Sequence, residues 1–210
     1  MRRTRIKICG ITRLQDVAAV VEAGADAVGF VFAPRSPRRL AAEQASELAA
    51  AVPAFVSRVG LFQDQDAEEV ARILDQVPLN LLQFHGSEPA DYCGQFGMPY
   101  IKAVSMVDSS AVEHAELNHP DAAALLLDSH APGQPGGTGR AFDWSDIGSS
   151  HRPIVIAGGL NPANVFEAVR NHRPWGVDVS SGVESAPGHK DQALVMTFVE
   201  EVERADREDR

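Results

Sequence analysis

The segment Ala122-Ala123-Ala124-Leu125-Leu126-Leu127-Asp128 is apolar at six consecutive positions and then ends on a carboxylate. A strand with one face in water alternates apolar and polar residues, whereas a strand of a parallel sheet is buried on both faces and is apolar throughout. Similar short β-rich runs recur along the whole chain. The eight predicted strands are 5–9, 27–32, 55–62, 79–84, 100–104, 122–128, 153–157 and 176–180.

Stretches of helical length separate these strands, and this alternation indicates an α/β architecture. Helix starts are predicted from a capping box at Thr12 and Gln15, from Asp66, and from Asn161 followed by proline. Eight repeats favour a (β/α)8 TIM barrel with a closed parallel sheet over an open doubly wound sheet, which usually stops at about five or six strands. No linker or low-complexity tract interrupts the pattern, so residues 1–210 are predicted to form one catalytic domain.

The charge balance argues against polyanionic partners. There are 29 acidic and 19 basic side chains, for a net charge of -10, and no basic stripe with interleaved aromatic residues occurs. We therefore expect neither nucleic acid nor membrane as a partner. A phosphate bound by so acidic a protein needs local positive potential from backbone N–H groups, helix N-termini or single basic side chains.

Cysteine and histidine usage predicts a cytoplasmic protein without metal or redox cofactor. The two cysteines, Cys9 and Cys93, are too few for a disulfide framework and lack the C-x-x-C spacing. The seven histidines show no metal-ligand spacing, and no dinucleotide fingerprint follows a strand. The N-terminus resembles neither an export signal nor a membrane span.

Barrel enzymes carry their chemistry at the C-terminal ends of the strands, so the residues there are the candidates. Lys7 and Cys9 lie two apart on the first strand, which places both side chains on one face, the barrel interior. We expect the ammonium to lower the pKa of the Cys9 thiol and make it a competent general base. The competing interpretation is a small core residue.

Two aspartates lie on later strands. Asp128 ends an apolar strand, where burial is expected to raise its pKa and keep it protonated as a general acid. The alternative is a capping residue for the following turn. Asp178 is predicted to pair with Lys7 inside the barrel, because in a closed barrel strand eight neighbours strand one, and the pair then supports the pocket.

Glycines cluster after the last two strands. Gly158 and Gly159 follow strand seven, and Ser181 and Gly182 follow strand eight. Loops at these places often bind phosphate, since glycine allows close backbone approach and helix N-termini supply positive potential. We predict a phosphate site there, against the alternative of two ordinary turns. His85, at the end of strand four, either lines the pocket or serves only its loop.

Several motifs occur together in the order found in a known enzyme family. They are KICGIT at 7–12, GADAVGFVF at 24–32, SPR at 36–38, QFHG at 83–86, LD at 127–128, GGTG at 136–139 with FDW at 142–144, AGGL at 157–160 and VDVSSGVE at 177–184. Together they resemble phosphoribosylanthranilate isomerase of tryptophan biosynthesis over roughly residues 5 to 195. Glutamine and aspartate at 63–64, and phenylalanine at 84, depart from the residues usual in that family.

The resemblance implies an Amadori rearrangement of N-(5-phosphoribosyl)anthranilate to 1-(2-carboxyphenylamino)-1-deoxyribulose 5-phosphate. By that resemblance, Asp128 is the general acid that protonates the furanose ring oxygen, and Cys9 is the general base that removes the C2 proton. Arg38 matches the arginine that faces the anthranilate carboxylate, a planar anion suited to a guanidinium. The reaction needs only proton transfers, in agreement with the expected absence of metal and cofactor.

Two other readings remain open. Another phosphate-binding barrel, such as an indole-glycerol-phosphate synthase or a sugar-phosphate epimerase, would need further catalytic Lys and Glu residues or clustered metal ligands. A non-catalytic module that binds a phosphorylated ligand is the alternative from a different class, because a fold alone never proves activity. Retention of both Cys9 and Asp128 argues against such a module. The partner is expected to be a small phosphorylated substrate, and the protein a monomer or a homodimer.

Overall fold

The strands pair side by side in chain order and the last closes onto the first, which makes an eight-stranded parallel barrel. The computed structural model describes residues 3–106, 110–128 and 150–208. The closed eight-stranded parallel barrel confirms the fold prediction. The barrel strands are β1 Arg5–Cys9, β2 Ala27–Val31, β3 Ser57–Phe62, β4 Leu81–Phe84, β5 Tyr100–Ser105, β6 Ala124–Asp128, β7 Ile154–Ile156 and β8 Gly176–Val179.

Helices cover the outside of this barrel. Those in the described ranges are α1 Leu14–Glu22, α2 Ala42–Ala50, α3 Ala67–Gln76, α4 Ala90–Gly94, α5 Ala111–Asn118, α6 Val165–His172 and α7 Gln192–Glu208. A 3₁₀ turn, Ser181–Val183, follows β8 and leads into a short antiparallel hairpin of β9 Glu184–Ala186 and β10 His189–Lys190. The hairpin carries Glu184 and Lys190, which form an ion pair with each other.

Two apolar layers stabilise the fold, one on each side of the barrel wall. Outward-facing strand residues pack against the helices in the main core, where the rings of Phe32 and Phe62 stack with centroids 5.2 Å apart. Phe84 is fully buried there and its ring also contacts Phe96 and Tyr100. Truncating such a buried ring to alanine costs about 3–5 kcal/mol. Phenylalanine at position 84 therefore fills the outer layer and leaves the inner face unchanged.

The inner face divides into an apolar part and a charged part. Ladder register places Cys9 beside Gly29, and Lys7 beside Asp178, so β1 directs both of its site residues inward. Small apolar clusters fill the interior elsewhere, one of them built around Leu126. The buried Lys7–Asp178 pair thus lies at the seam between β1 and β8.

Element ends differ from the predictions where side chains have other partners. The Thr12 capping box was wrong: α1 has Arg13 as its N-cap, and the Thr12 hydroxyl donates to Gly188 O at 2.5 Å. Asp66 is the N-cap of α3 but makes no capping hydrogen bond. Asn161 instead accepts from Ala163 N in a turn, and α6 begins only at Val165.

Candidate active site

A buried ion pair joins the first and last strands of the barrel. Lys7 Nζ lies 2.8 Å from Asp178 Oδ1, and the two side chains are 7% and 10% exposed. This confirms the predicted pairing, because barrel closure sets Lys7 and Asp178 at matching register positions. Burial by itself lowers the pKa of Lys7, but Asp178 and Cys9 together outweigh it, so the pKa is raised and the ammonium stays charged.

Cys9 is buried at the end of β1, in contact with the small apolar cluster of Val31 and Ala33. Its Sγ occupies space that Gly29 leaves open, since a Cβ there would lie 2.7 Å from the sulfur. Burial raises the pKa of the Cys9 thiol, and although Lys7 lowers it, burial prevails and the pKa is above its ordinary value. The expected lowering of the Cys9 pKa was therefore wrong, because desolvation destabilises the thiolate more than the nearby ammonium stabilises it.

Asp128 ends β6 on the inner face and makes a polar contact across the barrel mouth. His85 Nε2 lies 3.2 Å from Asp128 Oδ2, which brings the end of β4 to the end of β6. On its other side, His85 Nδ1 lies 3.1 Å from the amide nitrogen of Gln83, a fully buried residue of β4. His85 thus faces the candidate acid and does not merely serve its loop.

A cavity of about 280 Å³ opens beside this pair. Its walls come from the ends of β3 to β6 and the loops after them, and the lining residues are Gln63, Asp64, His85, Gly86, Ser87, Ala103, Val104, Ser105, Ala111 and Asp128. Cys9 lies outside that lining, at the opposite part of the barrel mouth. The volume of the cavity lies just below the range of about 300–1,000 Å³ that is usual for small-molecule sites.

A second buried ion pair holds the loop that carries His85. Lys102 Nζ lies 2.8 Å from Glu88 Oε2 and donates to Gly86 O at 2.5 Å. The two carboxylate oxygens of Glu88 accept from the backbone N–H groups of Asp64 and Gly86. The loops after β3 and β4 are therefore fixed to each other, and the cavity wall is preformed.

Arg38 is part of a three-residue charge cluster at the hairpin. Its Nε and Nη2 donate to the two carboxylate oxygens of Glu184 at 2.8 and 2.6 Å, in a bidentate pair. Lys190 Nζ, whose side chain is fully buried, lies 2.7 Å from the same carboxylate and 3.0 Å from Ser180 O. The arginine that sequence assigned to a substrate carboxylate is thus held by a carboxylate of the protein.

The charges within this cluster shift one another. Burial opposes ionisation of Glu184, but hydrogen bonds from Arg38 and the nearby Lys190 outweigh it and lower the pKa of Glu184. Burial lowers the pKa of Lys190 despite Glu184. Arg38 lies close enough for its field to reach Cys9, as does Lys190. A hypothetical Cβ on Gly10, next to Cys9, would meet Arg38 Cδ at 2.4 Å, so only glycine permits this approach.

The two predicted glycine clusters meet in space. Gly158 and Gly159 have positive φ values of 77° and 69°, which side chains with a Cβ adopt only with strain. A Cβ on Gly182 would lie 1.9 Å from Leu160 O, so the loop after β8 passes directly over the loop after β7. Ser181 begins the 3₁₀ turn at the same place.

Three site residues were missed from sequence. Glu184 stood at the end of a quoted motif without a role, Lys190 was not considered, and Gln83 was quoted only for resemblance. An acid next to a glycine-rich strand end was the available signal for Glu184. Nothing in the local sequence marked Lys190, because its partners Glu184 and Ser180 come near it only when the β9–β10 hairpin forms.

The side chains at this site include three of the types that take up or release protons, Cys9, His85 and Asp128. In residues 3–106, 110–128 and 150–208 no group of three or more His, Cys, Asp or Glu side chains is arranged to hold a metal ion. Within the same ranges, no helix is both long and apolar enough to cross a bilayer. The GGTG and FDW motifs lie outside the described residues.

Comparison with known proteins agrees with the motifs. The family model of N-(5'phosphoribosyl)anthranilate (PRA) isomerase matches residues 6–201. The N-(5'-phosphoribosyl)anthranilate isomerase of Stenotrophomonas maltophilia strain R551-3 is 52% identical over 207 residues, which are 97% of this chain and 95% of that protein.

Solved structures show the same likeness in three dimensions. Phosphoribosyl anthranilate isomerase from Thermotoga maritima has a TM-score of 0.88 at 40% identity, over 96% of this chain and 99% of that one. A crystal structure of phosphoribosyl anthranilate isomerase in complex with reduced 1-(o-carboxyphenylamino)-1-deoxyribulose 5-phosphate has a TM-score of 0.82 at 38% identity, with the same coverage. The chain therefore belongs to the family of N-(5'-phosphoribosyl)anthranilate isomerases, enzymes of tryptophan biosynthesis.

Proposed function

We propose that this chain catalyses the Amadori rearrangement of N-(5-phosphoribosyl)anthranilate, with Asp128 as general acid and Cys9 as general base. The product is 1-(2-carboxyphenylamino)-1-deoxyribulose 5-phosphate. One observation carries the proposal. Cys9 is the last residue of β1 and Asp128 the last residue of β6, and both side chains face inward at the same rim of the barrel. That rim is where barrel enzymes carry out their chemistry.

The first step opens the sugar ring. Asp128 transfers its proton to the furanose ring oxygen as the bond from that oxygen to C1 breaks, and the anilino nitrogen lone pair forms the C1–N double bond of a protonated Schiff base. The ring oxygen becomes the C4 hydroxyl. His85, whose Nε2 lies 3.2 Å from Asp128 Oδ2, orients this carboxyl at the end of β6. A well-placed acid or base contributes about 10²- to 10⁴-fold in rate.

The second step removes the C2 proton. The Cys9 thiolate accepts that proton, and the C2–H electrons form an enolamine while the C1–N double bond becomes single. The enolamine then tautomerises to the ketone, with the C2 hydroxyl losing a proton and C1 gaining one. Because burial raises the pKa of the Cys9 thiol, the thiolate is a minor species at neutral pH and therefore a strong base when it forms.

Charges around Cys9 favour this transient thiolate. Lys7, Lys190 and Arg38 supply three positive charges, and Asp178 and Glu184 supply two negative ones. The surroundings therefore carry a net positive charge that a thiolate balances. This arrangement fits a residue that ionises during turnover better than one that serves only as packing.

The two anionic ends of the substrate need separate sites. We assign the anthranilate carboxylate to the guanidinium edge of Arg38 that Glu184 leaves unused, and the phosphate to the backbone of Gly158, Gly159, Ser181 and Gly182. Arg38 is oriented by its bidentate pair, so little side-chain entropy is lost on binding. Gly158 and Gly159, in the loop after β7, have positive φ values, which residues with a Cβ adopt only with strain. Without side chains, their backbone groups can approach a ligand closely.

Neither a metal nor a redox cofactor is part of this proposal, because every step transfers a proton. We also propose a cytoplasmic setting, with a small phosphorylated substrate as partner and one or two copies of the chain in the working enzyme. Activity should survive exhaustive dialysis against a chelator. Sedimentation analysis separates monomer from homodimer.

The decisive experiment follows the loss of anthranilate-type fluorescence on addition of phosphoribosylanthranilate. Cys9→Ala and Asp128→Asn should each lower kcat by about 10²-fold or more. Cys93→Ala is the matched control, since that thiol is buried in α4 on the outer side of the barrel and should keep full activity.

An inert wild type, tested beside an active isomerase, would favour the binding module. In that case the protein should still bind the substrate, which equilibrium titration would show.

A further inference from the structure

Gln83 is a polar residue in a place where the barrel interior is otherwise apolar. It lies on β4 with Leu61 of β3 and Ile101 of β5 at matching register positions, and it is 0% exposed. Its amide nitrogen contacts His85 Nδ1, while its amide oxygen is buried and has no hydrogen-bond partner among the described residues. A buried amide in this state is costly, so its presence calls for a reason.

The contact bears on where the proton of His85 lies. In the structure the Gln83 amide presents its nitrogen to His85 Nδ1, and because an amide nitrogen donates and does not accept, this orientation makes Nδ1 the acceptor, without a proton. A neutral ring then has its single proton on Nε2, the nitrogen that faces Asp128 Oδ2 at 3.2 Å. An imidazolium would need a proton on Nδ1 as well, directed at the N–H of Gln83.

Keeping His85 neutral matters for the acid step. A positively charged imidazolium next to Asp128 would form an ion pair and hold the carboxyl in its ionised form. An ionised Asp128 has no proton to give to the ring oxygen. A neutral imidazole orients the carboxyl without adding a charge.

We propose that Gln83 is a positioning residue that keeps His85 as the neutral Nε2–H tautomer, so that Asp128 can be protonated when substrate is bound. This inference rests on the proposed role of Asp128 as general acid. Gln83 acts entirely through His85, at the far end of a chain of two polar contacts.

Other groups near the ring have to be considered in the test. Among the described residues, the titratable groups that line the cavity with His85 are Asp128 from β6 and Asp64 from the loop after β3. Asp64 Oδ1 accepts from Ser87 N at 2.6 Å. Lys102 and Glu88 form their own pair behind Gly86. Substitutions at Gln83 leave all of these in place.

The first measurement is nitrogen NMR of the histidine rings in full-length labelled protein, with a His85→Asn variant to assign the signal. In the neutral wild-type ring we expect the proton on Nε2. Gln83→Glu supplies an acceptor in place of a donor, so a proton on Nδ1 should become favourable as well. Gln83→Met supplies neither donor nor acceptor, so a mixture of tautomers is expected.

The second measurement separates kcat from KM. Gln83→Glu should lower kcat by roughly ten- to a hundredfold, up to the lower end of the about 10²- to 10⁴-fold that a general acid contributes, while KM changes by less than about threefold. Gln83→Met should have a smaller effect in the same direction. Gln65→Glu is the matched control, because Gln65 is also buried with an unpartnered amide but has no contact with His85.

Two results would overturn the inference. One is a wild-type His85 ring that carries its proton on Nδ1, and the other is a Gln83→Glu protein with wild-type ring signals and wild-type kcat. The spectrum does not depend on turnover. An inactive wild type with the expected tautomer would therefore reject the proposed function and leave the assignment of the proton standing.

Discussion

Replacing Lys7 by methionine tests the charge balance around Cys9 most directly. The substitution keeps the length and apolar stem of the side chain but removes the ammonium that lies 2.8 Å from Asp178 Oδ1. Two consequences follow. Asp178 is left as a buried carboxylate without its ion-pair partner, and Cys9 loses the charge that most strongly opposes the effect of burial on its pKa.

The loss of stability can be estimated from the geometry. At 2.8 Å and an effective dielectric constant of about 20, two unit charges attract by about 6 kcal/mol, from which their desolvation must be subtracted. Breaking a buried pair by removing one partner costs about 3–5 kcal/mol in other proteins. We expect the free energy of unfolding at pH 7 to fall by an amount in that range. Urea unfolding followed by circular dichroism measures it.

The effect on Cys9 has a definite sign. Lys7 lowers the pKa of the thiol, so its removal should raise that pKa further and reduce the thiolate fraction at pH 7. Each unit of pKa lowers that fraction about tenfold, and kcat should fall with it. Ultraviolet thiolate absorbance, titrated in a Cys93→Ala background, reports Cys9 alone. Cys93 otherwise adds its own titration, because burial raises its pKa to about 12.

A second variant separates the two effects. Combining Lys7→Met with Asp178→Leu removes both charges, and replacing a whole buried pair by apolar residues is often neutral for stability. The double variant should recover most of the lost stability. An unchanged thiol pKa in the single variant, or an unfolding free energy within about 1 kcal/mol of wild type, would refute the reasoning.

Three further outcomes are expected. Gly182→Ala should cost about 1–3 kcal/mol in urea unfolding and raise KM, because its Cβ would lie 1.9 Å from a backbone oxygen. The control Gly94→Ala, a position in α4 with nothing within 4 Å, should leave KM unchanged and should not lower stability. Glu184→Gln should raise KM by about tenfold with a smaller change in kcat, since Arg38 loses one charge-assisted contact; equal KM values would contradict this. Above pH 9.0, the ordinary pKa of a thiol, stability should fall as the pH approaches the raised pKa of Cys9, while kcat should rise with the thiolate fraction. If stability and kcat changed in the same direction with pH, Cys9 would not be the base.

Most of the fold could be predicted because its signals are local. Three strands, β3, β4 and β6, begin two residues later than predicted, but every strand was identified and the inward face predicted for β1 was correct at Lys7 and Cys9. A strand buried on both faces is recognised by a continuous run of apolar residues, and the period of two assigns each side chain to a face. The helix starts were less accurate, because Thr12 and Asn161 have partners distant in sequence or outside the helix.

The candidate site was predictable only in part. Strand ends of a closed barrel converge on one rim, so Lys7, Asp178 and Asp128 could be placed from the order of strands alone. The ionisation of Cys9 could not, because its pKa is a sum of opposing contributions from burial and from charges on three elements. Sequence supplies the signs of those contributions but none of their distances.

The sequence by itself determined a parallel barrel with a thiol and a carboxyl on its catalytic rim, since both follow from the spacing of neighbouring residues. The tertiary structure alone decided what surrounds them: Lys190 folded back by a hairpin onto Glu184 and Arg38, and Gln83 joined through His85 to Asp128. These contacts join residues on different strands and loops. Electrostatic energy depends on the distance between charges and their exposure to water, and both exist only after the chain has closed.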